Sequence, residues 1–175
     1  MSQKLQFVTT VLHHPKLIIL DEPFSGLDPV NDNVIKDEIF NLAKEGATII
    51  FSTHRMEQVE EICNHIVLVN RGQKILDGTV KGVKQRFKQN LFRIGFDAPP
   101  PAEATNVFET VGNGSDNLLT VKISDGHTPN DVLHHFLQQG APIQSFNELL
   151  PSLNDIFIQL VEDTPAARKF QNLTA

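Results

Sequence analysis

The stretch KLIILDEPFSGLDP, Lys16–Pro29, constrains the fold of this chain more than any other. In it a short, wholly apolar run, LIIL, ends in two adjacent carboxylates, Asp21 and Glu22. Such a run is typical of a strand that is buried on both faces of a parallel sheet. Because two neighbouring carboxylates repel each other, the ionised pair needs a compensating cation or a proton. The stretch therefore predicts a buried strand that carries two acids to the edge of a sheet.

The residues around this strand predict an α/β layered domain. A helix over 2–13 precedes the strand, and a helix capped by Asp28 follows it, with Pro29 in its first turn and Gly46 after its end. A second buried strand, a helix and a hairpin come next, with the sequences ATIIFST, HRMEQVEEIC, HIVLVN and QKILDG. The expected buried stripe of the capped helix is Val34, Ile35, Ile39 and Leu42. This alternation of strands and helices implies a parallel sheet.

After residue 90 the pattern changes to that of a small antiparallel α+β unit. A proline-rich loop is expected over 97–105. The predicted strands and helices have the sequences LFRIGF, NLLTVKI, HTPNDVLHHFLQQG, IQSFNEL and SLNDIFIQLVED, and the first helix turns Val132, Leu133, Phe136 and Leu137 inward. This arrangement resembles a ferredoxin-like layer. We therefore expect two domains, 1–90 and 91–175.

Polar side chains follow the two predicted buried strands of the first domain, at the ends where ligands gather in a parallel sheet. Asp21 and Glu22 end the first strand, and Ser52 and His54 end the second. If the strands are neighbours, these four side chains meet at one rim. A Mg²⁺ ion with nucleotide phosphates would compensate the carboxylates, because Mg²⁺ binds few protein oxygens and keeps several waters. One carboxylate would hold the hydrated metal, and the other would orient or deprotonate an attacking water.

Three short motifs, in this order, resemble those of the ATP-binding cassette (ABC) ATPases. LIILDEP is similar to the Walker B motif, SGLDP to the D-loop and STH to the H-loop. The likeness extends to the helix before the strand and to HIVLVNRGQKILDG. PSLNDIFIQLV resembles the end of the accessory C-terminal domain of multidrug- and antibiotic-type exporter ATPases. The chain thus resembles the C-terminal portion of an ABC transporter ATP-binding protein, truncated before the signature helix and holding part of a P-loop NTPase sheet.

The resemblance implies a role for each residue of these motifs. Asp21 would hold Mg²⁺ through water, Glu22 would be the catalytic carboxylate, and His54 would contact the terminal phosphate of ATP. The residues that would lie at the nucleotide site and dimer interface are Ser25, Gly26, Leu27 and Asp28. The implied cofactors are ATP and Mg²⁺, and the implied partners are transmembrane permease subunits and a second ATPase subunit in a homodimer. The implied location is cytoplasmic, peripheral at the inner face of the cell membrane, as part of an exporter.

One motif of this family does not occur in the 175 residues. No G-x-x-x-x-G-K-[ST] phosphate loop is present, and the Q-loop and most of the signature loop would lie upstream of Met1. We therefore expect the chain alone to bind neither ATP nor Mg²⁺ and to be inactive. We also expect exposed strand edges and apolar faces around LIIL and ATIIF, which favour self-association. The alternative function is a non-catalytic regulatory or dimerisation module derived from such an ATPase.

Composition argues against several other classes of protein. The net charge of −6 argues against nucleic acid as a partner, although seven cations and one acid lie between Arg71 and Arg93. The single cysteine, Cys63, excludes an internal disulfide and fits a reducing compartment. No apolar run approaches the ~20 residues that cross a bilayer. We therefore expect a cytosolic chain that docks on membrane proteins.

Overall fold

The computed structural model describes residues 2–99, 105–113 and 117–162 of the chain. The chain forms two compact units, Met1–Val80 and Lys81–Ala175. The domain boundary expected near residue 90 lies C-terminal to this division, because the helix Val80–Arg86 lies almost wholly in the second unit. Residues 100–104 of the expected proline-rich loop lie outside the described residues.

The first unit has a mixed α/β fold. In chain order its elements are α1 Ser2–Val11, β1 Leu17–Asp21, α2 Pro29–Lys44, β2 Thr48–Ser52, α3 Met56–Ile62, β3 His65–Asn70 and β4 Gln73–Thr79. β1 and β2 pair in parallel, with Asp21 opposite Ser52. β3 and β4 form an antiparallel hairpin, and both residues of its turn, Arg71 and Gly72, have the positive φ that a type I′ turn requires. The predicted α/β class and parallel pairing are confirmed, although the described strands of this unit form two separate two-stranded sheets.

Helix α2 builds much of the core of the first unit. Asp28 caps it, Pro29 is its first residue, and Gly46, with φ of 98°, follows its end. Its apolar face joins a buried cluster that consists of Phe7, Ile18, Phe24, Ile35, Ile39, Leu42 and Ile62. The predicted stripe is correct for three positions and wrong for Val34, which is exposed. Val34 precedes the stripe by one residue and therefore points about 100° away from it.

One face of the β1–β2 sheet is apolar and exposed. Ile18 is buried, whereas its neighbour Ile19 is 69% exposed, because successive side chains of a strand point to opposite faces. Ile50, opposite Ile19 in the register, is 55% exposed. The prediction that LIIL is buried on both faces is therefore wrong, and the prediction of exposed apolar faces around these strands is confirmed. Further exposed apolar side chains lie in and just after α1, namely Leu5, Val8 and Leu12.

The second unit contains a four-stranded antiparallel sheet. In chain order its elements are α4 Val80–Arg86, β5 Leu91–Phe96, β6 Phe108–Asn113, β7 Leu118–Ile123, α5 Pro129–Gln138, β8 Ile143–Leu149 and α6 Leu153–Glu162. The strand order is β6-β7-β5-β8, and all three pairings are antiparallel. Within the described residues of this unit, α4 and β6 are the elements that have no counterpart among the predicted ones. α4 contains Gly82 and has seven residues, and β6 ends in Gly112 and Asn113, which are typical of turns.

The core of the second unit follows the predicted pattern in most places. Thr128 and Asp131 form a capping box at the start of α5, and Val132 and Phe136 of this helix are buried. These two side chains join a cluster with residues of the sheet, namely Phe92, Ile94, Phe96, Phe108, Leu119, Val121 and Ile123. Leu137 is exposed, contrary to the prediction that it points inward. None of the described helices is long and apolar enough to cross a membrane.

We predict that the exposed face of the β1–β2 sheet drives self-association of the chain in solution. Ile19→Lys should weaken self-association by about tenfold or more, because it removes apolar area and adds a charge that must be desolvated. Sedimentation velocity over a range of chain concentrations measures this change. Leu137→Lys, at an exposed apolar position of the second unit, is the matched control and should leave association unchanged. An Ile19→Lys chain that associates as strongly as the unchanged chain would contradict the prediction.

Candidate functional site

The pairing of β1 with β2 brings the predicted site residues together at one end of the sheet. The Ser52 hydroxyl donates a hydrogen bond to Asp21 Oδ1, its partner in the register. The Glu22 N–H donates to the Ser52 carbonyl at 2.9 Å, which extends the pairing by one residue. Glu22 has a positive φ of 45°, so the chain turns sharply after the strand. The four side chains expected at this rim therefore do converge there.

The Glu22 carboxylate is held by three groups of the segment that follows β2. Oε1 accepts from the His54 backbone N–H at 2.9 Å and lies 2.6 Å from His54 Nδ1. Oε2 accepts from Thr53 Oγ1 at 3.0 Å. These bonds, with that of the His54 ring as the largest effect, lower the pKa of Glu22 below its ordinary 4.5 in spite of partial burial. Glu22 is therefore ionised at neutral pH.

The contact with Glu22 also fixes the chemistry of the His54 ring. An ionised carboxylate only accepts hydrogen bonds, so Nδ1 carries the proton of this bond. The side chain is 81% exposed, which leaves Nε2 accessible from solvent. Nε2 can then accept a hydrogen bond when the ring is neutral and donate one when it is protonated.

The turn between Glu22 and Asp28 is anchored by one aromatic side chain. Phe24 is buried and packs edge-to-face on Phe51 of β2, with ring centroids 5.9 Å apart. The Ser25 N–H donates to the Glu22 carbonyl at 3.0 Å, and Gly26 has φ of 71°. Ser25 and Gly26 are exposed, whereas Leu27 packs against the core cluster. The anchor therefore presents an exposed turn directly beside Glu22.

Asp28 ends this turn and caps α2, as the sequence predicts. Its Oδ1 accepts from the N–H groups of Val30 and Asn31 at 3.1 and 3.0 Å, and Asn31 Nδ2 donates to Oδ2. These bonds, that of the Asn31 N–H first, lower the pKa of Asp28 below its ordinary 3.8. The ionised carboxylate also faces the positive end of the helix dipole. The cap thus fixes the position of α2 relative to the turn.

The donor set at the end of β1 fits a hydrated Mg²⁺ ion. Asp21 offers an exposed carboxylate, and its neighbour Ser52 offers a hydroxyl, both of them hard oxygen donors. Within the described residues no group of three or more His, Cys, Asp or Glu side chains is arranged to hold a metal by itself. Mg²⁺ commonly uses one or two carboxylates and takes its remaining ligands from water and phosphate. The site is therefore suited to metal brought in with a phosphate ligand.

Thr53 is a site residue that the sequence analysis missed. Its hydroxyl donates to Glu22 and accepts from the Arg55 N–H at 3.1 Å, so it links the carboxylate to the start of α3. The alternation of side chains along a strand points Thr53 away from Ser52. Glu22 is the first residue after β1, and its carboxylate accepts a hydrogen bond from the Thr53 hydroxyl. Thr53 is the middle residue of the STH motif, but its contact with Glu22 depends on the turn of the chain at Glu22.

Comparison with known proteins finds similarity to ATP-binding proteins of ABC transporters. Residues 78–161 match the C-terminal domain of DrrA1-3-like ATP-binding proteins. An ABC transporter ATP-binding protein of Alkalihalophilus pseudofirmus is 35% identical over 91% of this chain and 60% of its own length, and YhaQ of Bacillus subtilis is 36% identical over 91% and 53%. The daunorubicin/doxorubicin resistance ATP-binding protein DrrA of Streptomyces peucetius is 26% identical over 91% and 51%.

The order of motifs, the geometry at the strand end and these similarities agree. The chain is similar to ABC transporter ATP-binding proteins over about nine tenths of its length. It spans between 51% and 60% of the length of the three relatives described above. The resemblance inferred from LIILDEP, SGLDP and STH is thereby confirmed at the level of the family.

Removal of the Asp28 carboxylate should destabilise the start of α2. We expect Asp28→Ala to lower the melting temperature by about 2–6 °C at pH 7, because two backbone N–H groups lose their acceptor. Since the pKa of Asp28 is lowered in the fold, the stabilisation is present above its ordinary value of 3.8 and is lost as pH falls through the lowered pKa. The difference in melting temperature should therefore shrink as the pH falls below about 4. Circular dichroism melts at each pH measure it.

Asp37→Ala, at an exposed position in the middle of the same helix, is the control. It should change the melting temperature by less than about 1 °C at either pH. Equal melting temperatures of Asp28→Ala and the unchanged chain at pH 7 would show that the cap does not stabilise α2.

Proposed function

We propose that the chain supplies the Walker B, D-loop and H-loop part of an ATP-hydrolysing subunit of an ABC exporter. Glu22 orients or deprotonates the attacking water, Asp21 holds Mg²⁺ through water, and His54 contacts the terminal phosphate. The observation that carries the proposal is the Glu22 carboxylate, which three hydrogen bonds hold beside His54 at the end of a parallel strand pair. Ligands of open α/β sheets bind at this end of the strands.

The ionised Glu22 carboxylate and the hydrogen-bonding capacity of the His54 ring suit this reaction. An ionised Glu22 accepts a hydrogen bond from water and aligns it, and a loose phosphoryl-transfer transition state needs little early proton removal. A protonated His54 keeps its Nδ1–H bond to Glu22 and offers Nε2–H to a phosphate oxygen. When bound, Mg²⁺ neutralises charge on the phosphate oxygens. The chain's own residues therefore cover water alignment and one contact to the terminal phosphate.

The exposed turn Ser25–Asp28 is assigned to the interface with a second ATPase subunit. Its position beside Glu22 supports this assignment, because a partner that contacts the turn also lies close to the reacting groups. The anchoring of Phe24 and the cap at Asp28 hold the turn in one shape before any partner binds. The subunits would form a homodimer, with Gly26 and Leu27 in the same interface.

Export as the direction of transport is supported by the similarity to a daunorubicin/doxorubicin resistance protein. The remaining partners in this proposal are transmembrane permease subunits, and nucleic acid is not among them. The chain would then lie at the cytoplasmic face of the cell membrane. Its second unit would be an accessory domain with a ferredoxin-like layer, which the strand order β6-β7-β5-β8 supports.

The absence of a phosphate loop from the 175 residues limits what this chain does by itself. The described site offers one carboxylate pair, a histidine and two hydroxyls, and these groups include no cradle of backbone N–H donors for a triphosphate. A non-catalytic regulatory or dimerisation module is therefore the second candidate function. The separate hydrophobic core of the second unit supports this alternative.

Adding the missing phosphate-binding part tests the proposal. We expect the isolated chain to hydrolyse ATP at no more than about 1% of the rate of a chimera that joins it to the part of YhaQ outside its match. In the chimera, Glu22→Gln should lower kcat by about 10²–10⁴-fold while ATP binding persists, because only water activation is lost. Steady-state hydrolysis and nucleotide-binding measurements on the same samples provide both values.

Glu45→Gln, an exposed change after the end of α2, is the matched control and should leave kcat unchanged. A chimera that binds ATP without hydrolysing it would favour the regulatory module. Turnover by the isolated chain at the rate of the chimera, lost in Glu22→Gln, would overturn the expected dependence on a phosphate loop.

A further inference from the structure

A second polar cluster lies behind the candidate site, where the first turns of α2 and α3 meet. Asp32 belongs to the first turn of α2, and its N–H donates to the Asp28 carbonyl at 2.9 Å. Asp32 Oδ2 accepts from Gln58 Nε2 at 3.4 Å and lies 3.7 Å from Arg55 Nη1. One carboxylate therefore joins the helix that follows the SGLDP turn to the residue that follows His54.

The cluster is well buried for a set of polar side chains. Gln58 is 6% exposed, and the side chain of Asp32 is 14% exposed. Asp32 Oδ1 and Gln58 Oε1 are buried acceptors that make no hydrogen bond within the described part of the chain. Leaving a buried acceptor unpaired opposes folding, so packing alone does not account for these two side chains. Groups that lower the free energy of unfolding in this way are typical of functional sites, where a particular arrangement of side chains is retained although it reduces stability.

Hydrogen bonds link Arg55 through Thr53 to the Glu22 carboxylate of the candidate site. The Arg55 N–H donates to Thr53 Oγ1 at 3.1 Å, and the same hydroxyl donates to Glu22 Oε2 at 3.0 Å. The His54 N–H donates to Glu22 Oε1 at 2.9 Å. A shift of Arg55 therefore moves two of the donors that hold the Glu22 carboxylate. Asp32 is the described acidic side chain that Arg55 contacts.

We propose that Asp32 is a positioning residue, which holds the segment Thr53–Arg55 against Glu22 from behind. It acts through Arg55 and Gln58 and touches no reacting group. That this positioning supports ATP hydrolysis rests on the proposed function. The positioning itself is a property of the chain without nucleotide and is testable there.

A second contact between the same two helices provides a matched control. Lys36 Nζ donates to Glu61 Oε2 at 2.5 Å, one turn further along both helices. Both contacts join α2 to α3, but only Asp32 reaches the residue next to His54. A role of Asp32 in helix packing alone would make the two contacts equivalent, whereas positioning makes only one of them affect His54.

The test is amide hydrogen exchange and imidazole ¹⁵N NMR of the chain without nucleotide. We expect Asp32→Asn to raise the exchange rates of the His54 and Arg55 amides by about tenfold or more and to shift the His54 ring resonances. The melting temperature should not fall, because the new Asn Nδ2 can donate to the unpaired Gln58 Oε1. Glu61→Gln should leave the exchange rates and the His54 resonances unchanged.

Arg55→Gln is the second variant, and it removes the same contact from a half-exposed side chain. It should reproduce the local change at His54 even if Asp32→Asn does not fold. Unchanged His54 exchange in Arg55→Gln, or equal effects of Asp32→Asn and Glu61→Gln, would overturn the proposal. A failed ATPase chimera would leave these results unaffected, so the positioning role and the proposed function fail independently.

Discussion

The parallel pairing of β1 with β2 is the constraint on which the candidate site depends. Parallel strands end side by side, so Asp21 and Glu22 meet the segment after Ser52 even though the crossover through α2 separates them along the chain. The pairing continues for one bond beyond β1, from the Glu22 N–H to the Ser52 carbonyl. That bond and the positive φ of Glu22 turn its carboxylate toward Thr53 and His54. A shift of one residue in the register would reverse the faces of these side chains and separate the carboxylate from its donors.

The same strands divide the first unit into a packed side and an exposed side. Ile18 and Phe24 are buried against α2, and Phe51 packs on Phe24, so the core holds the strand ends from one side only. Ile19 and Ile50 present apolar area on the other side. The geometry of the site therefore comes from the packed side and from hydrogen bonds between neighbouring loops. This explains how the site residues converge although one face of their sheet has no cover among the described residues.

Local signals predicted much of this fold and site, and tertiary effects account for the rest. Asp28 and Gly46 were predictable because capping depends on adjacent residues, and the acids after LIIL were predictable because strands deliver their ends to one rim. The burial of Val34 and Ile19 was wrongly predicted, because the apolar character of a residue does not show whether another helix or strand packs on it. The roles of Asp32, Gln58 and Thr53 require knowing which helices and turns meet, and sequence spacing does not contain that information.

The candidate site is formed in the chain without any ligand. The Glu22 carboxylate already has its hydrogen bonds from Thr53 and His54, and its lowered pKa keeps it in the ionised form in which it accepts them. Electrostatic preorganisation of this kind is effective because no further ordering is needed when the substrate arrives. Under the proposed function, the alignment of water and the retention of a triphosphate would therefore be separable tasks. The described residues would then supply the groups for the first task, and a phosphate loop, which is absent from the sequence, would supply the backbone donors for the second.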